Sequence, residues 1–190
     1  FTLEYHKKIQ SIINKIIKQE SSKITKAAKL IKNSYLDGGQ LYVFGTGHSH
    51  MMAEESFHRA GGFAGACPIL DPNTDFSKGA EKATKLERTP GLATKVLNKY
   101  KLRTKDILII YSNSGVNHAP VEAALYAKKR KMKSISVLSY DYSKKAPLSA
   151  LNKRLYEITD LFIDNKIPRG DSIIKINDIT VGPASTIAGS

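Results

Sequence analysis

The sequence predicts an α/β protein: a three-layer αβα sandwich on a mainly parallel, five-stranded sheet, with leading N-terminal helices. Three observations predict it. The first 33 or so residues carry a helical apolar period, five short apolar runs then read as buried strands, and helical segments separate those runs.

From Leu3 to about Asn33, Ile9, Ile12, Ile13, Ile16, Ile17, Ile24, Ala27, Ala28 and Ile31 recur at helical spacing. The segment forms one long amphipathic helix, or two in sequence with a cap at Ser21-Ser22. Asp37-Gly38-Gly39 ends it. A leading helix of this kind suits packing on a partner subunit. Leu41-Tyr42-Val43-Phe44 is the first buried strand and stops at Gly45. His48 to Ala60 reads as a helix closed by Gly61-Gly62. Pro68-Ile69-Leu70 is the second strand, followed by a loop from Asp71 to Gly79. Pro90 to Tyr100 is helical, with proline in the first turn. Asp106 to Tyr111 is the clearest strand, and Asn117 to Lys131 the next helix, rich in alanine. Ser134 to Leu138 and Leu161 to Asp164 complete the strands. Val181 to Ser190 reads as a turn and the opening of a closing helix that is cut short.

A chain of 190 residues buries one core without a second domain. Residues 1–36 are read as helices for packing or dimerisation and residues 40–190 as the α/β core. No apolar run approaches the roughly 18 residues of a membrane span, so no membrane partner is expected. The charged N-terminus does not read as a secretory signal. The single cysteine, Cys67, excludes an internal disulfide, and the expected location is cytoplasmic.

The net charge is +13, from 30 Lys and Arg against 17 Asp and Glu. The lysines are scattered over surface-type helix positions. Lys128-Lys129-Arg130-Lys131 and Lys144-Lys145 fall where a helix end and a loop are expected, and cations at a helix C-terminus complement its dipole. With no zinc-finger spacing or aromatic platform, no nucleic-acid partner is expected.

Right-handed crossovers place the loops after the strands along one sheet edge, where ligands of open α/β sheets bind. Two loops there carry the chemistry. Gly45-Thr46-Gly47-His48-Ser49 lies between a strand and a helix; its glycines let the backbone turn tightly, and its amides and helix dipole favour an anion. It is neither a Walker loop nor a Gly-x-Gly-x-x-Gly turn. Ser112-Asn113-Ser114-Gly115, with Asn117, gathers short polar side chains, a glycine and a helix N-terminus into a neutral phosphate cradle. A single cap would need only one such residue.

These residues resemble the sugar isomerase (SIS) domain, the phosphosugar-binding module found in phosphoheptose isomerase and glucosamine-6-phosphate synthase. The likeness spans leading helices, glycine turn, Ser-x-Ser-Gly loop and the segment Val181-Gly182-Pro183-Ala184-Ser185-Thr186. The resemblance implies a flavodoxin-like sheet and phosphate held by Ser112, Asn113, Ser114, Gly115 and Asn117. It implies ligand contacts from Thr46, Gly47, His48 and Ser49, with Ser185 and Thr186 opening a final helix nearby. It implies a homodimer or homotetramer and a sugar-phosphate ligand, either isomerised or, in a regulatory module, only sensed.

Moving a carbonyl between C1 and C2 of a sugar needs a base that shuttles a proton. Phosphoheptose isomerases place a catalytic glutamate on the helix after the glycine turn; here Glu55 and, one turn on, His58 are the candidates. Glu87, beside Arg88 in a connection between strands, is a further candidate base, against the simpler reading of a solvent ion pair. His48 and His50, two apart at a helix start, diverge too much to chelate. His118, next to the serine loop, is placed to hydrogen-bond the phosphate or substrate. No metal and no cofactor is expected.

Overall fold

The computed structural model describes residues 1–189. It opens on one unbroken helix, α1 (Thr2–Leu36), rather than two. Ser21 caps nothing: its hydroxyl donates to the Ile17 carbonyl one turn back, a bond a helix interior tolerates. At about 1.5 Å per residue, α1 is roughly 50 Å long.

Five strands follow: β1 (Leu41–Gly45), β2 (Ala66–Pro68), β3 (Ile107–Tyr111), β4 (Lys133–Leu138) and β5 (Leu161–Asp164). All pair in parallel, in the order β2-β1-β3-β4-β5. This is the expected sheet. Only β2 lies two residues earlier than the sequence places it. Pro68 closes its ladder because it brings no N–H, although the Ile69 amide still donates to the Val43 carbonyl at 2.9 Å.

The helices between are α2 (His50–Glu55), α3 (Ala80–Leu86), α4 (Leu92–Leu97), α5 (His118–Lys129), α6 (Tyr140–Lys145) and α7 (Ser185–Gly189). Tyr42, Phe44, Leu108 and Ile110 of the strands pack on α4 and α5 through Val96, Leu97, Ala123 and Ala127. The opposite face, with Ile107, Ile109, Ile135 and Ile163, packs on α1 through Ala27 and Ile31. Alternate residues of one strand thus serve two cores, which is why the strands read as continuous apolar runs. Each such side chain contributes about 1.5–3 kcal/mol of burial.

Five local expectations are corrected. The helix predicted to Ala60 stops at Glu55; the Ser56 hydroxyl turns back to the Ala53 carbonyl at 2.7 Å, and His58 adopts φ 46°. α3 forms where none was expected, and α4 begins at Leu92 because Gly91, at φ 82°, separates it from Pro90. Lys144 and Lys145 form the last turn of α6, not a loop; Ser139 caps that helix, accepting from the Tyr142 amide. A hairpin of β6 (Ile174–Ile176) and β7 (Ile179–Val181) precedes α7. Ser190, included in the segment read from sequence as a turn and the opening of a helix, lies outside the described residues.

The strand order positions the site. From β1 the chain crosses to β2 on one side and later to β3 on the other, so the crevice of the sheet opens between the carboxyl ends of β1 and β3. Both polar turns sit there.

Candidate functional site

β1 ends at Gly45, where a Cβ would stand 2.1 Å from the Ser49 carbonyl oxygen; only glycine lets the chain fold back so tightly. A single 3₁₀ turn, Gly47–Ser49, leads into α2. The Gly47 amide donates to the Thr74 carbonyl at 2.8 Å. His50 is 2% exposed, with Nδ1 3.2 Å from Thr74 Oγ1 and 3.4 Å from the Gly45 carbonyl. It therefore buttresses the turn against the 71–75 loop. That loop is itself fixed by buried Asp71, which pairs with Lys99 and accepts from the Asn73 amide. Burial pushes the Asp71 carboxyl up, but hydrogen bonds from Lys99 and Asn73 outweigh it and hold the group below its ordinary value.

β3 delivers the serine loop. Its outer side is bonded away: the Asn113 carbonyl accepts from the Ser139 amide at 3.0 Å, the Gly115 carbonyl from the Leu155 amide at 2.8 Å, and Asn113 Oδ1 from Asn165 Nδ2 at 3.2 Å. Within the loop, Ser112 Oγ accepts from the Gly115 amide at 3.2 Å. Gly115 holds φ 61°, and a Cβ there would stand 2.9 Å from Ser143 Oγ. The amides of Asn113, Ser114 and Val116, and the Ser114 hydroxyl, have no partner among the described residues. They lie in the loop that leads into the N-terminus of α5, whose N-cap is Asn117, and loop amides beside a helix dipole favour an anion.

Glu87 joins the two turns. Its Oε2 accepts from Thr46 Oγ1 at 3.1 Å and its Oε1 from Asn117 Nδ2 at 2.8 Å. Its backbone carbonyl accepts from the Ala119 amide at 2.9 Å. Burial pushes the Glu87 carboxyl above the usual glutamate range, and the Thr46 bond, Arg88 and His48 offset only part of this. A solvent ion pair, the simpler expectation for Glu87-Arg88, is not what forms.

The serine loop divides two cavities. The smaller, about 20 Å³, gathers His48, Ser49, Ser112, Asn113, Ser185 and Thr186. The larger, about 570 Å³, is lined by Glu87, Arg88, Ser114, Asn117, His118 and Tyr142, among others. The first has room for about one water; the second falls in the range of small-molecule pockets. The sequence-predicted turns are thus brought together, with Thr46 and Gly47 against Glu87. Ser185 is otherwise engaged: its hydroxyl donates to Asp171 Oδ2 at 2.5 Å, and its amide and that of Ala184 donate to Oδ1. Asp171 caps α7, so Ser185 positions Thr186 with no hydroxyl hydrogen of its own to spare.

Glu55 and His58 are not brought to these loops. Because α2 ends at Glu55, no further helical turn carries His58 inward. Glu55 is exposed and paired with Arg59, and His58 lines a separate surface cavity with Ser56, Arg59 and Phe63. Among the described residues no three His, Cys, Asp or Glu side chains gather as a metal site requires.

Sequence reasoning missed Asn165, which reaches Asn113 from the carboxyl end of β5. The rule that ligands meet strand ends could have found it. His118, the first residue of α5, does lie beside the serine loop, but nothing local in the sequence marks it as buried.

A family model described as SIS domain matches residues 4–139. A UPF0309 protein of Brucella anthropi is 42% identical over 168 residues, covering 87% of this chain and 69% of its own. One from Geobacillus thermodenitrificans is 36% identical over 190 residues, covering 98% and 76%. Among solved structures, phosphoheptose isomerase of Neisseria gonorrhoeae superposes with a TM-score of 0.67 at 18% identity, over 89% of this chain and 86% of that one. That of Francisella tularensis gives 0.58 at 17% identity, over 87% and 84%.

Proposed function

The chain belongs to the SIS-domain family, and from that premise we propose that it binds a sugar phosphate and isomerises it between aldose and ketose forms. One observation carries the proposal: a serine loop with unpartnered donors at a helix N-terminus stands beside a carboxylate held by both polar turns. The phosphate sits on Ser112, Asn113, Ser114, Gly115 and Asn117. The sugar extends into the larger cavity towards Glu87.

Glu87 is the base. Its desolvation supports this role, because a carboxylate whose proton affinity is raised accepts a proton from carbon more readily at neutral pH. Thr46 and Asn117 aim its two oxygens. The phosphoheptose isomerases that share the fold act on a phosphosugar, which supports the substrate class without fixing the sugar. An amino-sugar phosphate is within the same class.

We read residues 1–190 as one SIS domain that works as a homodimer or homotetramer. Supporting this, α1 leaves Leu3, Ile17, Ile24 and Leu36 exposed at 42–75% although it packs its other face well. No helix is long and apolar enough among the described residues to cross a membrane; a reduced, lone Cys67 supports a cytoplasmic setting.

A thermal-shift panel of aldose, ketose and N-acetylated sugar phosphates, followed by a turnover assay on each stabilising compound, tests the proposal. Stabilisation with interconversion supports it. Stabilisation without turnover by any compound identifies a phosphosugar sensor instead. Stabilisation by none removes the sugar-phosphate ligand itself.

A further inference from the structure

His118 is 7% exposed, yet its ring nitrogens have no hydrogen-bond partner among the described residues. Neither nitrogen is sealed from solvent, so both stay open to a partner that enters the cavity this residue lines. His118 lines the 570 Å³ cavity together with Glu87. The two residues are also locked in relative position. Immediately before His118, the Asn117 side chain donates to the Glu87 carboxylate at 2.8 Å; immediately after it, the Ala119 amide donates to the Glu87 carbonyl at 2.9 Å. Bonds on both flanks, at the start of a twelve-residue helix, fix the backbone at His118 relative to Glu87, and both side chains line the one cavity. A stranded histidine in a surface loop would show neither the burial nor the clamp.

We propose that His118 is the second proton-transfer group of this site, acting on the sugar oxygens while Glu87 acts on carbon; this rests on the isomerase reading of the site. An imidazole presents one donor and one acceptor nitrogen, which suits a group that must give a proton to one oxygen and take one from its neighbour. Glu87 removes the proton from C2 of the aldose. The C–H electron pair becomes the C1–C2 double bond, the carbonyl pair moves to O1, and His118 delivers a proton to O1. The O2 hydroxyl then returns a proton to the ring as the C2 carbonyl forms, and Glu87 gives its proton to C1. Both groups end as they began, and no redox partner is needed.

The same cavity is lined by the exposed Arg88, which makes no ion pair among the described residues, and by Ser114. Arg88 supplies the positive charge that the neutral serine loop lacks. The ligand is therefore an anionic sugar whose reacting end faces Glu87 and His118.

The test compares the full chain with His118→Asn, His118→Gln and Glu87→Gln. It measures sugar-phosphate affinity, kcat, and exchange of the C2 proton with solvent deuterium by NMR. His118→Asn is expected to lower kcat by 10²–10⁴-fold, with affinity within about threefold, because a positioned proton-transfer group contributes that much to rate and little to ground-state binding. His118→Gln should behave likewise and checks that the loss is not one of folding. Glu87→Gln should abolish C2 exchange. If both histidine variants turn over as the parent does while Glu87→Gln is dead, the inference about His118 is wrong and the isomerase reading stands. If the histidine variants lose affinity and kcat in parallel with thermal stability, His118 is structural and the inference is overturned. If the parent binds sugar phosphates but neither isomerises them nor exchanges C2, the isomerase reading fails and the role of His118 falls with it.

Discussion

Thr46 donates its hydroxyl hydrogen to Glu87 Oε2 at 3.1 Å, across 41 residues of chain. This bond ties the glycine turn after β1 to the segment between α3 and α4, and Asn117 completes the bridge to the serine loop from the other carboxylate oxygen. Three segments of sequence thus converge on one desolvated acid.

A base must be ionised to work, so activity rises as pH rises through the Glu87 titration. Since burial holds that carboxyl above its ordinary value, the acid limb of kcat/KM should lie above the usual glutamate value of about 4.3. The Thr46 bond stabilises the ionised form. Thr46→Val, close in shape, should therefore move the acid limb to still higher pH. A pH–rate profile of both proteins checks the direction.

Stability carries the opposite sign. A carboxyl whose folded-state proton affinity is raised favours the native state at low pH, and that contribution is lost as pH rises through its folded titration. The melting temperature of Glu87→Gln relative to the parent should therefore increase between pH 4 and neutrality. Calorimetry across that range reads it.

Glu20 shows the reverse case. It is 4% exposed, accepts from Lys166 Nζ at 3.0 Å and pairs with Lys23 at 2.9 Å, while its Oε2 accepts from the Asp164 amide. Burial pushes its carboxyl up, but the hydrogen bonds from Lys23 and Lys166 outweigh this and hold it below the ordinary value. The resulting stability is present above the ordinary glutamate value and is lost as pH falls below about 4. Glu20→Ala leaves Lys166 short of a partner and should cost about 3 kcal/mol in urea unfolding at pH 7, with a flatter acid limb.

Gly115→Ala should cost about 2 kcal/mol, from a left-handed backbone and from a methyl group set 2.9 Å from Ser143 Oγ and 3.2 Å from Leu138 Cδ2. Sugar-phosphate affinity should fall with it, because relief of the clash displaces the loop amides. Denaturant unfolding beside a binding titration measures both.

The sheet was legible because a strand buried on both faces is largely apolar, and β1 and β3 obey that without interruption, while β4 keeps Ile135, Val137 and Leu138 between buried serines. The two polar turns were legible because each follows such a strand directly. Helix ends were not: nothing in Ser56-Phe57-His58 forbids a helix, and α2 stops there through a side-chain bond to its own backbone. The early stop denies His58 a helical position, while Glu55, still within α2, faces outward and pairs with Arg59. The hairpin of β6 and β7 did carry a signal, two β-branched runs joined by Asn177-Asp178 with Asn177 at φ 53°, which favours a tight turn. Glu87 was named from sequence, but its bonds to Thr46 and Asn117 span 41 and 30 residues and no local pattern encodes them.

The central claim is that the serine loop holds the phosphate of a sugar. Calorimetric titration of the parent, Ser112→Ala and Ser114→Ala, each against one stabilising sugar phosphate and its unphosphorylated parent sugar, tests it most directly. The account predicts binding of the phosphorylated sugar alone, weakened about tenfold by each substitution, as loss of a hydrogen bond to a charged group implies. Equal binding of the two sugars, or serine variants that bind the phosphorylated one as tightly as the parent protein does, would contradict it.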